Sequence, residues 1–243
     1  MIRAFSRLLS FCLMLFSTYS VAETLKIGVG LALPPYVLPS TNTGIEVDIV
    51  REALAVKGYK ITPTYLPFAR VPIELSDKRV DAAMTVNESS GLTKVFYSDT
   101  HVTYQNVAIS LQANNFKIDH ITDLKAHSII AFQDATKYLG ETFLTMAKSN
   151  KRYREYAKQS KQITMLFSKR VETVVMDINI FKYFRREEKS VDTSQPYTVH
   201  EIFPPSQYKM AFLSQNIRDD FNEGLKMIKS SGQYDKIVTK YIQ

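Results

Sequence analysis

A carboxylate at the end of a buried apolar run is the first residue of this sequence that could carry chemistry. Asp177 directly follows Val174, Val175 and Met176, a run that is typical of a buried strand. Such a strand delivers Asp177 to the edge of a cleft, where its carboxylate can accept charge-assisted hydrogen bonds from an amine. Asp177 also stands directly before a predicted helix, so capping that helix is an equally good interpretation. One residue can do both.

A second polar group stands at another boundary between a strand and a helix. Asp134, Ala135 and Thr136 separate a predicted strand from a predicted helix. Backbone amides at the start of a helix and a nearby hydroxyl can bind an anionic group, which makes Thr136 a candidate ligand-binding residue. Capping of the helix alone is the alternative.

Two further side chains are candidates for the walls of the same cleft. Tyr36 follows two prolines, and its ring is expected to stack on a ligand or on a cation, with simple core packing as the alternative. Arg70 stands near a helix start, where the helix dipole disfavours a cation. Arg70 therefore needs a partner, which is either a ligand anion in the cleft or an acid in a surface ion pair.

The other reactive residue types indicate no metal site, cofactor or catalytic nucleophile. The chain has no phosphate-binding glycine loop and no Ser-His-Asp signature. The four histidines lack metal-ligand spacing: His101, His120, His127 and His200. The single cysteine, Cys12, lies in the N-terminal apolar segment, so the chain after it can form no disulfide and no thiolate metal site.

The elements that must position these residues form two α/β units. In the first half strands and helices alternate as βαβαβ, which predicts a largely parallel, helix-covered sheet. The predicted elements are the strands 25–30, 59–65 and 82–86 and the helices 46–57 and 69–76. The order repeats more weakly in the strands 128–132, 163–166 and 174–176 and the helices 137–148, 168–172 and 178–185. Two amphipathic helices, 216–230 and 233–242, end the chain.

The first 22 residues are predicted to be a cleaved signal peptide. Arg3 and Arg7 precede the apolar run 8–16, and Ser20-Val21-Ala22 offers small residues at the spacing that a signal peptidase needs. The run is shorter than the roughly 20 residues of a membrane span, so a membrane anchor is the weaker alternative. The mature protein is then expected to start at Glu23 in the periplasm.

The net charge of +7 raises the question of an acidic partner. The densest basic run consists of Lys148, Lys151, Arg152, Arg154, Lys158 and Lys161. We interpret this run as a solvated helix face, because an exported protein does not meet nucleic acid.

Four stretches of the chain together resemble the bacterial extracellular solute-binding proteins of family 3, the polar amino-acid type. They are 25–48 with its Gly44-Ile-Glu-Val-Asp48 motif, 80–99 with Tyr97-Ser98-Asp99, 123–132, and the tail 232–241. The resemblance implies a two-lobed α/β periplasmic-binding-protein fold of type II, the Venus flytrap, with a hinge of two crossing strands. It implies a first lobe of residues 23–103 plus 205–243 and a second lobe of residues 104–204.

The resemblance also implies residue roles, and one of them is missing. The family places an ammonium-binding aspartate at the position of Asp177, and a carboxylate-binding arginine at the position of Gly91. Because glycine cannot bind a carboxylate through its side chain, we expect a small polar ligand that is amino-acid-like but not a standard α-amino acid. Arg70 is the candidate to replace the missing cation.

The expected function is therefore solute capture by a monomer that serves the permease of an ABC importer. One alternative is a sensor module that feeds no transporter. Another is a periplasmic lyase of the cyclohexadienyl-dehydratase type, for which Glu88 and Asp177 are the candidate general acids.

Overall fold

The computed structural model describes residues 23–31 and 33–242 and contains two β-sheets covered by helices. The predicted signal peptide, residues 1–22, lies outside the described residues. The strands are β1 Thr24–Gly30, β2 Lys60–Leu66, β3 Ala82–Val86, β4 Phe96–Tyr97, β5 Val102–Tyr104, β6 Asn106–Leu111, β7 Ile129–Phe132, β8 Tyr153–Tyr156, β9 Thr173–Asp177, β10 Tyr197–His200 and β11 Ser206–Phe212. The α-helices are α1 Ile45–Ala55, α2 Val71–Ser76, α3 Ala135–Tyr138, α4 Glu141–Ser149, α5 Ser160–Phe167, α6 Ile178–Glu187, α7 Gln215–Ser230 and α8 Gln233–Ile242.

Each sheet combines parallel strands with antiparallel ones. The first sheet has the order β2-β1-β3-β11-β4, with β5 paired to β11, and the second has the order β10-β6-β9-β7-β8. β1 runs parallel to β2 and β3, and β7 runs parallel to β8 and β9. In such sheets, ligands bind beyond the carboxyl ends of the parallel strands.

The chain passes between the two sheets twice. β5 ends at Tyr104 in the first sheet and β6 begins at Asn106 in the second, so Gln105 alone joins them. The return runs from His200, the last residue of β10, to Ser206, the first residue of β11. The expected two-lobed α/β fold with strand connections is confirmed.

The first sheet packs against α1. Leu25, Ile27 and Val29 of β1 are buried, as the alternating pattern predicts. α1 packs against α7 near Gly224, where an added Cβ would lie 2.0 Å from the carbonyl oxygen of Ala53. Glycine is therefore required at 224 for the two helices to approach this closely.

The segment before β9 differs from the prediction. A strand over 163–166 and a helix over 168–172 were expected, but α5 covers Ser160–Phe167 and a turn leads into β9. Ile163, Leu166 and Phe167 are all buried and share one helical face. A four-residue apolar run does not distinguish a strand from a buried helix.

The basic run is exposed, as predicted, but it does not form one helix face. Lys148 lies in the last turn of α4, Arg154 lies in strand β8 and Lys161 lies in α5, so the run crosses three elements and the turns between them. The helix expected over 137–148 is divided into α3 and α4 at Gly140, whose φ of 85° is unfavourable for other residues.

Candidate functional site

The carboxyl ends of the parallel strands of the two sheets are joined by a buried side-chain contact. The contact that joins them runs from Tyr36, which follows β1, to Asp177, the last residue of β9. Arg70 follows β2 and Thr136 follows β7, so all four predicted site residues lie at these two edges. Whether they contact a ligand remains a prediction.

Asp177 lies at the centre of this contact and is only 2% exposed. Its carboxylate caps α6 by accepting hydrogen bonds from the amides of Asn179 at 2.8 Å and Ile180 at 3.0 Å. It also accepts from the Gln105 amide at 2.9 Å and from the Tyr36 hydroxyl at 3.1 Å. The capping interpretation is therefore observed. Burial raises the pKa of Asp177 to about 6, although the donated hydrogen bonds act in the opposite direction.

Tyr36 is enclosed between the two lobes and is 1% exposed. Its ring stacks on Tyr104 with 3.8 Å between the ring centroids, and its hydroxyl also accepts a hydrogen bond from the Asn179 amide group at 3.0 Å. Burial, followed by the charge of Asp177, raises the pKa of Tyr36 well above its ordinary value. Tyr36 is therefore packed in the interior, which was the alternative interpretation, and presents no free face on which a ligand could stack in this arrangement.

A buried polar cluster that sequence reasoning missed lies under the tyrosine stack. Glu46 accepts hydrogen bonds from the Thr85 hydroxyl at 2.8 Å and the Tyr104 hydroxyl at 3.3 Å. One of its oxygens lies 2.7 Å from Nε2 of the fully buried His101. Thr85 holds a left-handed φ of 57°, which is strained for a β-branched residue. Glu46 belongs to the Gly44–Asp48 motif, which was noted only as part of the family pattern.

The helix start at Thr136 is occupied by a side chain of the protein itself. Glu155 of β8 accepts from the amides of Asp134 at 2.7 Å and Thr136 at 3.2 Å, and from the Thr136 hydroxyl at 3.1 Å. This carboxylate lies where a ligand anion was expected to bind. The prediction missed Glu155 because the surrounding run was interpreted as a helix face.

Arg70 has the surface partner that was its alternative interpretation. Its guanidinium lies 2.8 Å from a carboxylate oxygen of Glu74, and its side chain is 55% exposed. Glu74 also pairs with Arg79, and these cations lower the pKa of Glu74. Arg70 is thus not an unpaired cation that points at a ligand.

The loop around Gly91 carries no arginine, and the acid in this loop is held in an ion pair. Gly91 has a φ of 69° and open space where a Cβ would stand. Glu88, three residues earlier, pairs with Lys209 of β11, and this bond lowers the pKa of Glu88. A group with a lowered pKa is poorly suited to act as a general acid, which disfavours Glu88 in the lyase role.

Exposed apolar and aromatic side chains lie at the two edges, beside exposed charged ones such as Arg70 and Lys137. Leu31 follows β1, and Phe68, which is 43% exposed, follows β2 and packs on Gly30. On the opposite edge, Tyr138 is 63% exposed and its ring stacks on Phe132. These exposed rings were not predicted, because the sequence does not reveal which aromatic residues the core leaves uncovered.

Two absences apply to residues 23–31 and 33–242. There, no three His, Cys, Asp or Glu side chains are grouped so that they could hold a metal ion. Within the same residues, no helix is long and apolar enough to cross a membrane.

The family model of the bacterial extracellular solute-binding proteins, family 3, matches residues 25–243. The chain belongs to this family. The resemblance carried by the Gly44–Asp48 motif and the other three stretches is thereby confirmed. No curated protein matches the sequence significantly.

Solved structures with the same fold bind or recognise amino acids. The GluR0 ligand-binding core in complex with L-glutamate has a TM-score of 0.71 and 17% identity, and the match covers 92% of this chain and all of that one. An ancestral cationic amino acid solute-binding protein has a TM-score of 0.70 and 21% identity, with 90% and 96% covered. The substrate-binding protein of an amino acid ABC transporter has a TM-score of 0.61 and 21% identity, with 90% and 98% covered. At these identities the likeness establishes the fold alone.

Proposed function

We propose that this family 3 solute-binding protein captures a small solute in the cleft between its two lobes and delivers it to the permease of an ABC importer in the periplasm. The observation that carries the proposal is the pair of facing strand edges, which present exposed aromatic rings at Phe68 and Tyr138. Ligand pockets are concave, mostly apolar and placed at such edges.

We propose that residues 23–103 plus 205–243 form one lobe, that residues 104–204 form the other, and that the two lobes close around the ligand. The two sheets and the crossing at Gln105 support this division. A few residues at element ends can absorb the rotation of a hinge. A ligand closes the lobes only through contacts that are better made in the closed form.

The ligand we propose has an aromatic or other apolar body and lacks the zwitterionic head of a standard α-amino acid. Each group that would hold such a head is already satisfied: Asp177 has four donors, Thr136 has Glu155 and Arg70 has Glu74. Gly91 offers no side-chain donor. Replacing these internal bonds with ligand bonds gains little, whereas covering exposed rings is favourable by about 25 cal/mol per Å².

Native mass spectrometry of the protein purified from its own periplasm tests the proposed solute capture and the proposed ligand class, because it gives the mass of a ligand that co-purifies. The ligand found is then titrated against Phe68→Ala and Tyr138→Ala, with Met227→Ala on α7 as a control that removes an exposed apolar side chain elsewhere. We expect at least about tenfold weaker binding for each cleft variant and no change for the control. Equal affinity in all three variants would remove the aromatic cleft as the binding site.

Two other functions are distinguishable outcomes. A histidine kinase sensor domain shares the fold, with a TM-score of 0.68, 16% identity and 91% of this chain covered. Ligand binding without association with a permease would favour that use. Turnover of a prephenate-like substrate would instead favour the dehydratase alternative, since one neighbour is described as a precursor of cyclohexadienyl dehydratase.

A further inference from the structure

A cavity of about 490 Å³ lies away from the cleft, where α6 meets the end of α8. Its lining begins at Lys182, more than one helical turn beyond Asp177. The lining residues are Lys182, Arg185, Arg186, Glu188, Lys189, Thr193, Tyr197 and Ile242. Four of them are cations and one is an acid, so the cavity is strongly basic. We call it the seam cavity.

One of these cations is held in place by its neighbours. The Arg185 Nε donates to the Thr193 carbonyl at 2.9 Å, and the guanidinium carbon lies 5.0 Å above the ring of Tyr197. The Thr193 hydroxyl donates in turn to the Arg185 carbonyl at 3.2 Å. Ordering a guanidinium in advance reduces the entropy lost when it binds an anion.

The acid in the cavity bonds to other residues rather than to these cations, and it offsets only one of their four charges. Glu188 accepts from the Ser190 amide and hydroxyl, each at 2.6 Å, and from the Thr164 hydroxyl. These bonds lower the pKa of Glu188 to about 2, so it stays ionised. Lys182 makes no hydrogen bond or ion pair with any residue in the described part of the chain.

The helix dipole accounts for only part of this charge. Arg185 and Arg186 lie in the last turn of α6, where cations are favoured. Lys189 lies beyond the helix end and its Nζ donates to the Arg186 carbonyl at 2.8 Å, so it too interacts with the negative end of α6. Lys182 lies one turn earlier, where the dipole does not account for it. All four cations nevertheless surround one cavity. Their position around one cavity indicates a shared anionic partner.

We propose that the seam cavity is a second binding site, for a phosphate-bearing organic anion. The planar fork of Arg185 matches phosphate oxygens, and lysine ammonium groups bind phosphate as point charges. The volume exceeds what one inorganic phosphate fills, and Tyr197 and Ile242 offer apolar surface to the rest of the molecule. Because α8 packs on α1 and α6 packs on β9, an occupant touches both lobes.

The experiment uses the full mature chain and pyrophosphate as the probe, with calorimetry at fixed ionic strength. The test variant is Lys182→Gln/Lys189→Gln, which changes two exposed side chains of the cavity. The matched control is Lys158→Gln/Lys161→Gln, which removes the same charge at exposed positions outside the cavity. We expect at least about tenfold weaker binding in the test variant and less than twofold change in the control.

A lipid head group and a soluble phosphate ester are distinguished by a second arm. Vesicles with an anionic phospholipid are compared with zwitterionic vesicles, and pyrophosphate is added as a competitor. Binding to anionic vesicles that pyrophosphate displaces, and that the test variant loses, supports a head group. Pyrophosphate binding without vesicle binding supports a soluble ester. Equal losses in both lysine pairs, or no binding of either probe, would overturn the proposal.

Discussion

Replacing Asp177 with asparagine should change how the stability of this protein depends on pH. The carboxyl is 2% exposed, and burial raises its pKa from the ordinary value of 3.8 to about 6. Four donors oppose this rise, namely the Tyr36 hydroxyl and the amides of Gln105, Asn179 and Ile180. The direction of the pH effect therefore reports which of the two influences dominates.

The sign follows from which state holds the proton. Between pH 3.8 and about 6 the unfolded chain has lost the Asp177 proton while the folded chain keeps it. The free energy of unfolding therefore falls as pH rises through this window and is level above it. A difference of about two pKa units corresponds to about 3 kcal/mol lost from pH 4 to pH 7.

Urea unfolding of the wild type and of Asp177→Asn at pH 4, 5, 6 and 7 measures this directly. Other titrating groups are common to both proteins, so they cancel in the difference between the two free energies. That difference should decline by about 3 kcal/mol as pH rises. For the control Asp192→Asn, whose carboxyl has a pKa lowered by its bonds from Ser194, the difference should rise slightly between pH 4 and pH 5 and stay level above that. A rising Asp177 difference would mean that the four donors outweigh burial, which would refute this reasoning.

Three further outcomes are expected. N-terminal sequencing of protein from the osmotic-shock fraction should begin at Glu23, and an intact Met1 in washed membranes would contradict the signal peptide. Small-angle scattering should give a smaller radius of gyration with the co-purified ligand than without it, because the hinge closes the lobes around the ligand. An unchanged profile at saturation would exclude hinge closure. Standard α-amino acids should bind this protein about 10²–10³-fold more weakly than they bind relatives that have the arginine. The reason is that a ligand carboxylate enclosed beside Gly91 without a partner loses about 3–5 kcal/mol. Submicromolar binding of any standard amino acid to refolded, ligand-stripped protein would disprove this.

The sequence predicted the first α/β unit well because its hydrophobic patterns are long. β1, α1 and β3 lie within two residues of their expected bounds. Prediction failed between Gly140 and Thr173, where the elements are short. The four residues of β8 include Glu155, whose half-buried carboxylate accepts hydrogen bonds from Thr136, nineteen positions away. Such a contact leaves no periodic signal in the sequence.

The four predicted site residues lie at the strand edges, but the bonds that they make within the protein were not foreseen. Asp177 was expected to choose between a cap and a ligand, and it caps α6 while it also bonds Tyr36 across the cleft. The bond partners of Arg70 and Thr136 are protein carboxylates. The type of a side chain limits which bonds it can make, but the fold determines which partner lies within bonding distance.

The place of β11 in the first sheet has a consequence for how the chain becomes folded during its synthesis. β11 lies between β3 and β4 and also pairs with β5, although more than 100 residues separate it from each of them in sequence. β10 is the last strand of the second sheet along the chain, so every strand of that sheet is synthesised before β11, an interior strand of the first sheet. Pairings this distant form slowly. Until residues 206–212 have been synthesised, β3 lacks its neighbour on that side, and an unpaired strand edge of this kind would expose a stalled chain to aggregation.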